Sequence, residues 1–186
     1  MNVPEGRPAV FFDRDGSLMR DVGYVGRAER VELLPNAAAA VRRVNEAQWL
    51  AIVVTNQSGI ARGLFTESAY AEVHARLVAL MSAHGARIDG EYHCPHHPDF
   101  SGPCDCRKPL TALFERAIVD FNIDAGRSAC IGDRWRDIEP SFRIGGRGIL
   151  VPTESTPEED IVRARASREV AAGILEAVNR VLNDDP

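Results

Sequence analysis

The chain lacks a long apolar run. Its longest strongly apolar stretch is Leu50–Val54, far short of the ~20 residues that span a bilayer, so no membrane association is expected. The first residues, Met1–Pro8, are polar, hold two prolines and lack the apolar core of a secretory signal. A cytoplasmic protein is expected. An excess of basic residues is also missing: 22 Lys and Arg stand against 27 Asp and Glu, a formal charge of −5. That excludes a sequence-independent nucleic-acid binder, which needs a basic surface, although a nucleic-acid end can still be a substrate. Nor are the four cysteines spread as a disulfide framework would be. Cys94, Cys104 and Cys106 fall within thirteen residues, beside His93, His96 and His97. With no secretion signal, such a cluster reads as a metal site and not as bridges.

What is present is enough chain for one domain. The 186 residues lie in the ~100–200 range usual for one, and a chain of this size buries roughly 70% of its unfolded surface. The hydrophobic content of 45% excludes a disordered chain. No repeat or long linker divides the sequence, so a single domain over residues 1–186 is expected.

Short apolar runs at Ala9–Phe12, Leu50–Thr55, Ile88–His93, Ser128–Ile131 and Gly148–Val151 read as strands. Between them, Pro35–Gln48 reads as a helix with Asn36 as its cap. Thr66 opens a second, running to about His84 with Val73, Leu77, Leu80 and Met81 on one face and Gly85 ending it. Thr111–Phe121 is a third, Glu158–Leu182 a closing helix with a central break, and Cys94–Pro109 is loop. Strands alternating with helices predict an α/β domain, three-layered and Rossmann-like, around a mostly parallel sheet.

Ligands of open α/β sheets sit beyond the carboxyl ends of the strands. Three predicted strands end in polar groups: Asp13-Arg14-Asp15-Gly16, Thr55-Asn56-Gln57 and Gly132-Asp133. Residues two apart in extended chain point to one side. Asp13 and Asp15 can therefore face one site while Arg14 points away. Alone, the first tetrapeptide reads equally well as a solvated turn. With Asp133, and with Asp137 further on, it makes an oxygen-rich pocket suited to Mg²⁺.

Val10-Phe11-Phe12-Asp13-Arg14-Asp15-Gly16-Ser17-Leu18 resembles the first motif of the haloacid dehalogenase (HAD) superfamily. Thr55-Asn56-Gln57-Ser58-Gly59, Cys106-Arg107-Lys108-Pro109 and Gly132-Asp133-Arg134-Trp135-Arg136-Asp137 resemble the second, third and fourth, in order. With the Cys/His loop, the sequence is similar to the branch that acts on heptose bisphosphates and histidinol phosphate. The resemblance covers roughly residues 9–151 and implies a phosphatase without a separate cap domain. It implies Asp13 as nucleophile, Asp15 as acid and base, and Lys108 pairing with Asp13 and the phosphoryl group. Thr55 and Asn56 would bind phosphoryl oxygens, and Mg²⁺ would sit on Asp13, Asp133 and the Asp15 carbonyl, with Asp137 further out.

Arg107 is a candidate for a second phosphate or a sugar hydroxyl, with a surface ion pair as the equal alternative. Arg62 and Tyr24 are further substrate candidates. A small phosphorylated sugar, most readily a heptose bisphosphate, is the expected partner, with histidinol phosphate or a polynucleotide 3′-phosphate as alternatives, and a monomer is expected. A zinc-loop binding module with a vestigial site is the non-enzymatic alternative.

Cys94, His96, Cys104 and Cys106 supply four ligands, a set that closes a tetrahedral, structural Zn²⁺ site. The resemblance supports the same four in that order. The alternatives are free thiols in a mobile loop, or His93 or His97 in place of His96. Cys130 lies in an apolar strand and reads as a small core residue.

Overall fold

The computed structural model describes residues 6–167 and 169–183. Met1–Glu5 of the polar N-terminal stretch and Arg168 of the closing helix lie outside them. Five strands form one sheet: β1 (Ala9–Phe12), β2 (Leu50–Asn56), β3 (Gly90–Cys94), β4 (Ala129–Gly132) and β5 (Arg147–Leu150). Their order is β3-β2-β1-β4-β5, and every pairing is parallel. The helices are α1 (Ala37–Glu46), α2 (Glu67–Ala83), α3 (Pro98–Ser101), α4 (Ala112–Phe121), α5 (Trp135–Ile144), α6 (Glu158–Ala166) and α7 (Ile174–Asn183).

Strand alternation explains the layers. Val10 and Phe12 of β1, with Ala51 and Val53 of β2, pack against Ala40, Val41, Val73, Leu77 and Val178 from α1, α2 and α7. Ala9 and Phe11, with Ile52 and Val54, face Leu113, Phe114 and Ala117 of α4. Phe11 meets Phe114 edge-on at 5.3 Å between centroids. On that same side of the chain, Ile138 of α5 packs with Leu150 and with Ala164 of α6. The predicted three-layer α/β architecture is therefore present.

Three local expectations need correction. Asn36 stands at the α1 N-cap with φ 64, and its side chain makes no capping bond. In contrast, the Thr66 hydroxyl accepts from the Ala69 N–H at 3.1 Å and caps α2 as its sequence position implies. The supposed uninterrupted loop contains the short helix α3, begun by Pro98. The central break expected in the closing helix is present and divides it into α6 and α7. Finally, α5 has no counterpart in the sequence reading. Pro140 within it, and its polar first turn, conceal the helical pattern, yet Ile138, Pro140 and Ser141 are buried.

Strand order decides where a ligand can sit. From β1 the chain first builds outward through β2 and β3, then crosses to β4 and β5 on the other side. The reversal lies between the carboxyl ends of β1 and β4, where a crevice opens.

Candidate active site

Asp13 and Asp133 are the residues just beyond β1 and β4, so both carboxylates enter that crevice. The Asp13 N–H extends the sheet by donating to the Ile131 carbonyl at 2.9 Å. Gly16 then turns the chain with φ +88, and a Cβ there would lie 2.8 Å from Asp133 Oδ2. A side chain at position 16 would strain the turn and push Asp133 aside. Gly16→Ala is accordingly expected to lower kcat by about 10²-fold, the scale of a small misplacement at a reacting centre. Steady-state kinetics on any turned-over ester would check it.

Lys108 comes from the loop before α4 and is buried. Its Nζ donates to Asp13 Oδ1 at 2.6 Å and to the Val54 carbonyl at 2.7 Å, and lies 2.7 Å from Asp137 Oδ1. Burial opposes the ammonium, but Asp13 and Asp137 outweigh it, and the net direction of its pKa is upward.

Two further groups fix this lysine. The Arg134 N–H donates to Asp137 Oδ2 at 3.1 Å, which anchors Asp137 in the first turn of α5. Asn56 donates from Nδ2 to the Lys108 carbonyl at 3.1 Å and accepts from the Lys108 N–H at 3.0 Å. The Asn56 amide thus holds the Lys108 backbone, and Asn56 also lines the cleft beside Thr55.

Oxygens of Asp13, Asp133 and Asp137 lie within 4.8 Å of one another. Asp137, expected further out, joins the acidic cluster directly. Burial pushes the Asp13 carboxyl up to about 8; Lys108 opposes this, while Asp137, Asp133 and Asp15 reinforce it. Asp133 is pushed up to about 6 by burial and Asp137, against Arg134, Arg136 and Lys108. Three converging carboxylates share the buried Lys108 ammonium and the Arg134 guanidinium, 3.3 Å from Asp133 Oδ2, and remain short of positive charge. Hard oxygen donors in that state fit a divalent cation such as Mg²⁺.

Asp15 lines the same cleft. Its Oδ2 accepts from Gln57 Nε2 at 2.7 Å and from Arg14 Nε at 3.1 Å, and Oδ1 accepts from Arg14 Nη2 at 3.2 Å. The Thr55 hydroxyl also accepts from Gln57 Nε2, at 2.8 Å. Arg14 is not among the residues lining the cleft, and its guanidinium pairs with Asp15.

Beside this centre, Cys94, His96, Cys104 and Cys106 converge within 4.8 Å. Cys94 Sγ lies 3.7 Å from Cys104 Sγ and 2.9 Å from Cys106 Sγ; His96 Nδ1 is 3.3 Å from Cys106 Sγ. These separations are too long for a disulfide. The first is near the roughly 3.8 Å edge of a tetrahedron with Zn–S bonds of ~2.3 Å. Burial pushes the Cys94 thiol up, while Cys104 is lowered against burial, chiefly by the Arg107 N–H. The donor set fits zinc. His93 and His97 lie outside it: His93 is bonded to Glu91 and Glu67, and His97 Nε2 pairs with Arg62 Nη2 at 2.9 Å.

The cleft, about 370 Å³, is lined by Asp13, Asp15, Thr55, Tyr24 and four arginines: Arg62, Arg107, Arg134 and Arg136. Arg62 stacks on Phe100 of the zinc loop at 4.5 Å, and Arg107 donates to the His96 carbonyl at 3.2 Å. Both are thereby tied to the zinc loop. The sequence reading did not mark Arg134, Arg136 or His97 as cleft residues. The first two sit in the fourth motif, where spacing along α5 was the available signal.

Residues 105–177 match the family described as HAD-hydrolase-like. The chain is 39% identical over 169 residues to D-glycero-β-D-manno-heptose-1,7-bisphosphate 7-phosphatase of Haemophilus ducreyi, covering 84% of this chain and 93% of the relative. It is 41% identical over 156 residues to D-glycero-D-manno-heptose-1,7-bisphosphate 7-phosphatase of Thermosynechococcus vestitus, covering 79% and 80%. The fold is similar to the crystal structure of D,D-heptose 1,7-bisphosphate phosphatase from B. bronchiseptica complexed with magnesium and phosphate. That TM-score is 0.84 at 26% identity, over 95% of this chain and 99% of the other.

Proposed function

The chain belongs to the HAD-like hydrolase family, and we propose that it removes the 7-phosphate of a D-glycero-D-manno-heptose 1,7-bisphosphate. The observation that carries this is the buried Lys108 ammonium held between Asp13 and Asp137 beneath the β1–β4 crevice. A carboxylate so placed is an aimed nucleophile. Asp13 attacks phosphorus; the new Oδ–P bond forms as the bond to the sugar oxygen breaks, and Asp15 gives its proton to the departing alkoxide. Asp15 then takes a proton from water, whose oxygen displaces Asp13 and yields inorganic phosphate. Lys108 steadies Asp13 and offsets charge on the phosphoryl oxygens, and Thr55 offers its hydroxyl to them. Asp13 and Asp133 would hold Mg²⁺, with the Asp15 carbonyl as the third expected donor. The cation supplies charge neutralisation for the approach of an anionic nucleophile to an anionic ester.

The four cleft arginines favour a substrate with a second anionic group. Histidinol phosphate carries an ammonium there, and the chain's acidic balance disfavours a polynucleotide end. Arg107 and Arg62 are assigned to substrate contacts beyond the reacting phosphate. The protein is read as a cytoplasmic monomer with one domain over residues 1–186; among the described residues no helix is long and apolar enough to cross a membrane.

Activity toward a panel of phosphate esters with Mg²⁺ tests the proposal. The heptose bisphosphate should give the highest kcat/KM. A preference for histidinol phosphate or a 3′-phosphorylated oligonucleotide would replace the substrate, and no turnover on any ester would leave a binding module.

Zn²⁺ on Cys94, His96, Cys104 and Cys106 would set the loop that carries Phe100 and His97 against Arg62. Cys104→Ser is expected to lower bound zinc and reduce Tm by several degrees, with KM rising as Arg62 and Arg107 lose their support. Metal analysis and thermal melts check it. Unchanged zinc content would remove Cys104 from the ligand set.

A further inference from the structure

A guanidinium with no solvent exposure lies beside the acid/base carboxylate, and the mechanism above gives it no task. Arg14 is 0% exposed. It contacts Asp15 through Nε at 3.1 Å to Oδ2 and through Nη2, which lies 3.0 Å from Oδ2 and 3.2 Å from Oδ1, so that Oδ2 is the more heavily engaged oxygen. Its other side faces the ring of Tyr70, 5.0 Å from the centroid. The Tyr70 hydroxyl in turn donates to Glu91. Glu91 lies 3.1 Å from His93 Nδ1, and His93 Nε2 is 2.9 Å from Glu67. Elements α2 and β3 thus wall in the guanidinium from behind.

Burying a cation costs several kcal/mol, and a salt bridge in the interior often stabilises no better than apolar residues of similar volume. Structural need alone gives Arg14 no advantage over a hydrophobic side chain. What an arginine does supply is a planar fork that fixes a carboxylate in one orientation.

We infer that Arg14 and Gln57 form a clamp that orients Asp15 and selects the oxygen that carries its transferable proton. The inference rests on Asp15 acting as the acid and base of the proposed phosphatase. A carboxylate oxygen has two lone pairs. Oδ2 accepts from both Gln57 Nε2 and Arg14 Nε, so both of its lone pairs are engaged. Oδ1 accepts only from Arg14 Nη2 and keeps room for a proton. The clamp therefore directs the proton to Oδ1, and Tyr70 keeps Arg14 from swinging away. Arg14 is a positioning residue; it touches Asp15, while Asp15 touches the substrate.

Proton transfer matters for a poor leaving group and little for a good one. A sugar or glycerol alkoxide must be protonated as it departs, whereas 4-nitrophenolate leaves without help. In single-turnover experiments with Mg²⁺, Asp15→Asn should slow phosphoryl transfer from glycerol phosphate far more than from 4-nitrophenyl phosphate. Arg14→Lys keeps the charge and loses the fork. It should slow transfer from glycerol phosphate by about 10²-fold, the lower range for positioned acid catalysis, with substrate affinity unchanged. The loss with 4-nitrophenyl phosphate should be several-fold at most. Gln57→Leu, which leaves the buried cation paired, should show the same selective loss if Arg14→Lys does not fold. An equal loss on both esters, beside a selective loss in Asp15→Asn, overturns the clamp. An equal loss in Asp15→Asn overturns the assignment of Asp15, and the clamp with it.

Discussion

Asp13→Asn is expected to abolish turnover, on the order of 10⁵-fold or more, as removal of a covalent nucleophile does elsewhere. The substitution is nearly isosteric, so β1, its bond to Ile131 and the zinc loop should persist. What disappears is the anionic oxygen aimed at phosphorus. The loss should fall on kcat for every ester alike, because the leaving group plays no part in what Asp13 contributes. Stability should change little. Burial, with Asp137, Asp133 and Asp15, raises the Asp13 carboxyl to about 8 against Lys108; the amide gives up the charge of the Lys108 pair but keeps an oxygen to accept from Nζ, and Asp137 stays on the ammonium. Melts in chelator should therefore show Asp13→Asn within a few degrees of the parent Tm. Kinetics and melts on one preparation check both parts. Appreciable residual kcat would remove Asp13 as nucleophile.

Lys108→Met should damage both stability and activity. The ammonium binds Asp13, Asp137 and the Val54 carbonyl at 2.6–2.7 Å. Methionine fills much of the volume but leaves these acceptors without a donor. Removing one partner of a buried ion pair costs about 3–5 kcal/mol. In a chain of this size that corresponds to a Tm lower by about 10 °C. The activity loss should be about 10²–10³-fold, the scale of one preorganised donor at a developing charge. The two effects should separate on adding Mg²⁺: the cation restores part of the stability by supplying charge to the carboxylates, while the kcat loss remains. A Lys108→Met protein with parental Tm in chelator would contradict the charge balance described for the cluster.

Much of this site was legible because three of the four motifs end a strand. Asp13, Thr55 and Asp133 take their positions from β1, β2 and β4, and a short apolar run marks each strand. The Cys94, His96, Cys104 and Cys106 set was legible because soft ligands close together have few other uses. Other assignments depend on distance along the chain. Nothing in the local sequence shows that the Asn56 amide also holds the Lys108 backbone, 52 residues later. Arg14 was read by strand alternation, which gives the direction of Cβ and not the reach of a long side chain. Helix α5 carries Pro140 and a polar first turn, so its period is masked. Consequently Arg134 and Arg136 were not recognised as walls of the cleft.

The stereochemical course at phosphorus tests the central claim most directly. A substrate whose transferring phosphoryl group is chiral through oxygen isotopes and sulfur would be hydrolysed in isotopically labelled water. Two successive in-line displacements, first by Asp13 and then by water, predict net retention of configuration. Net inversion would mean that water attacks the substrate directly, and would contradict the role given to Asp13.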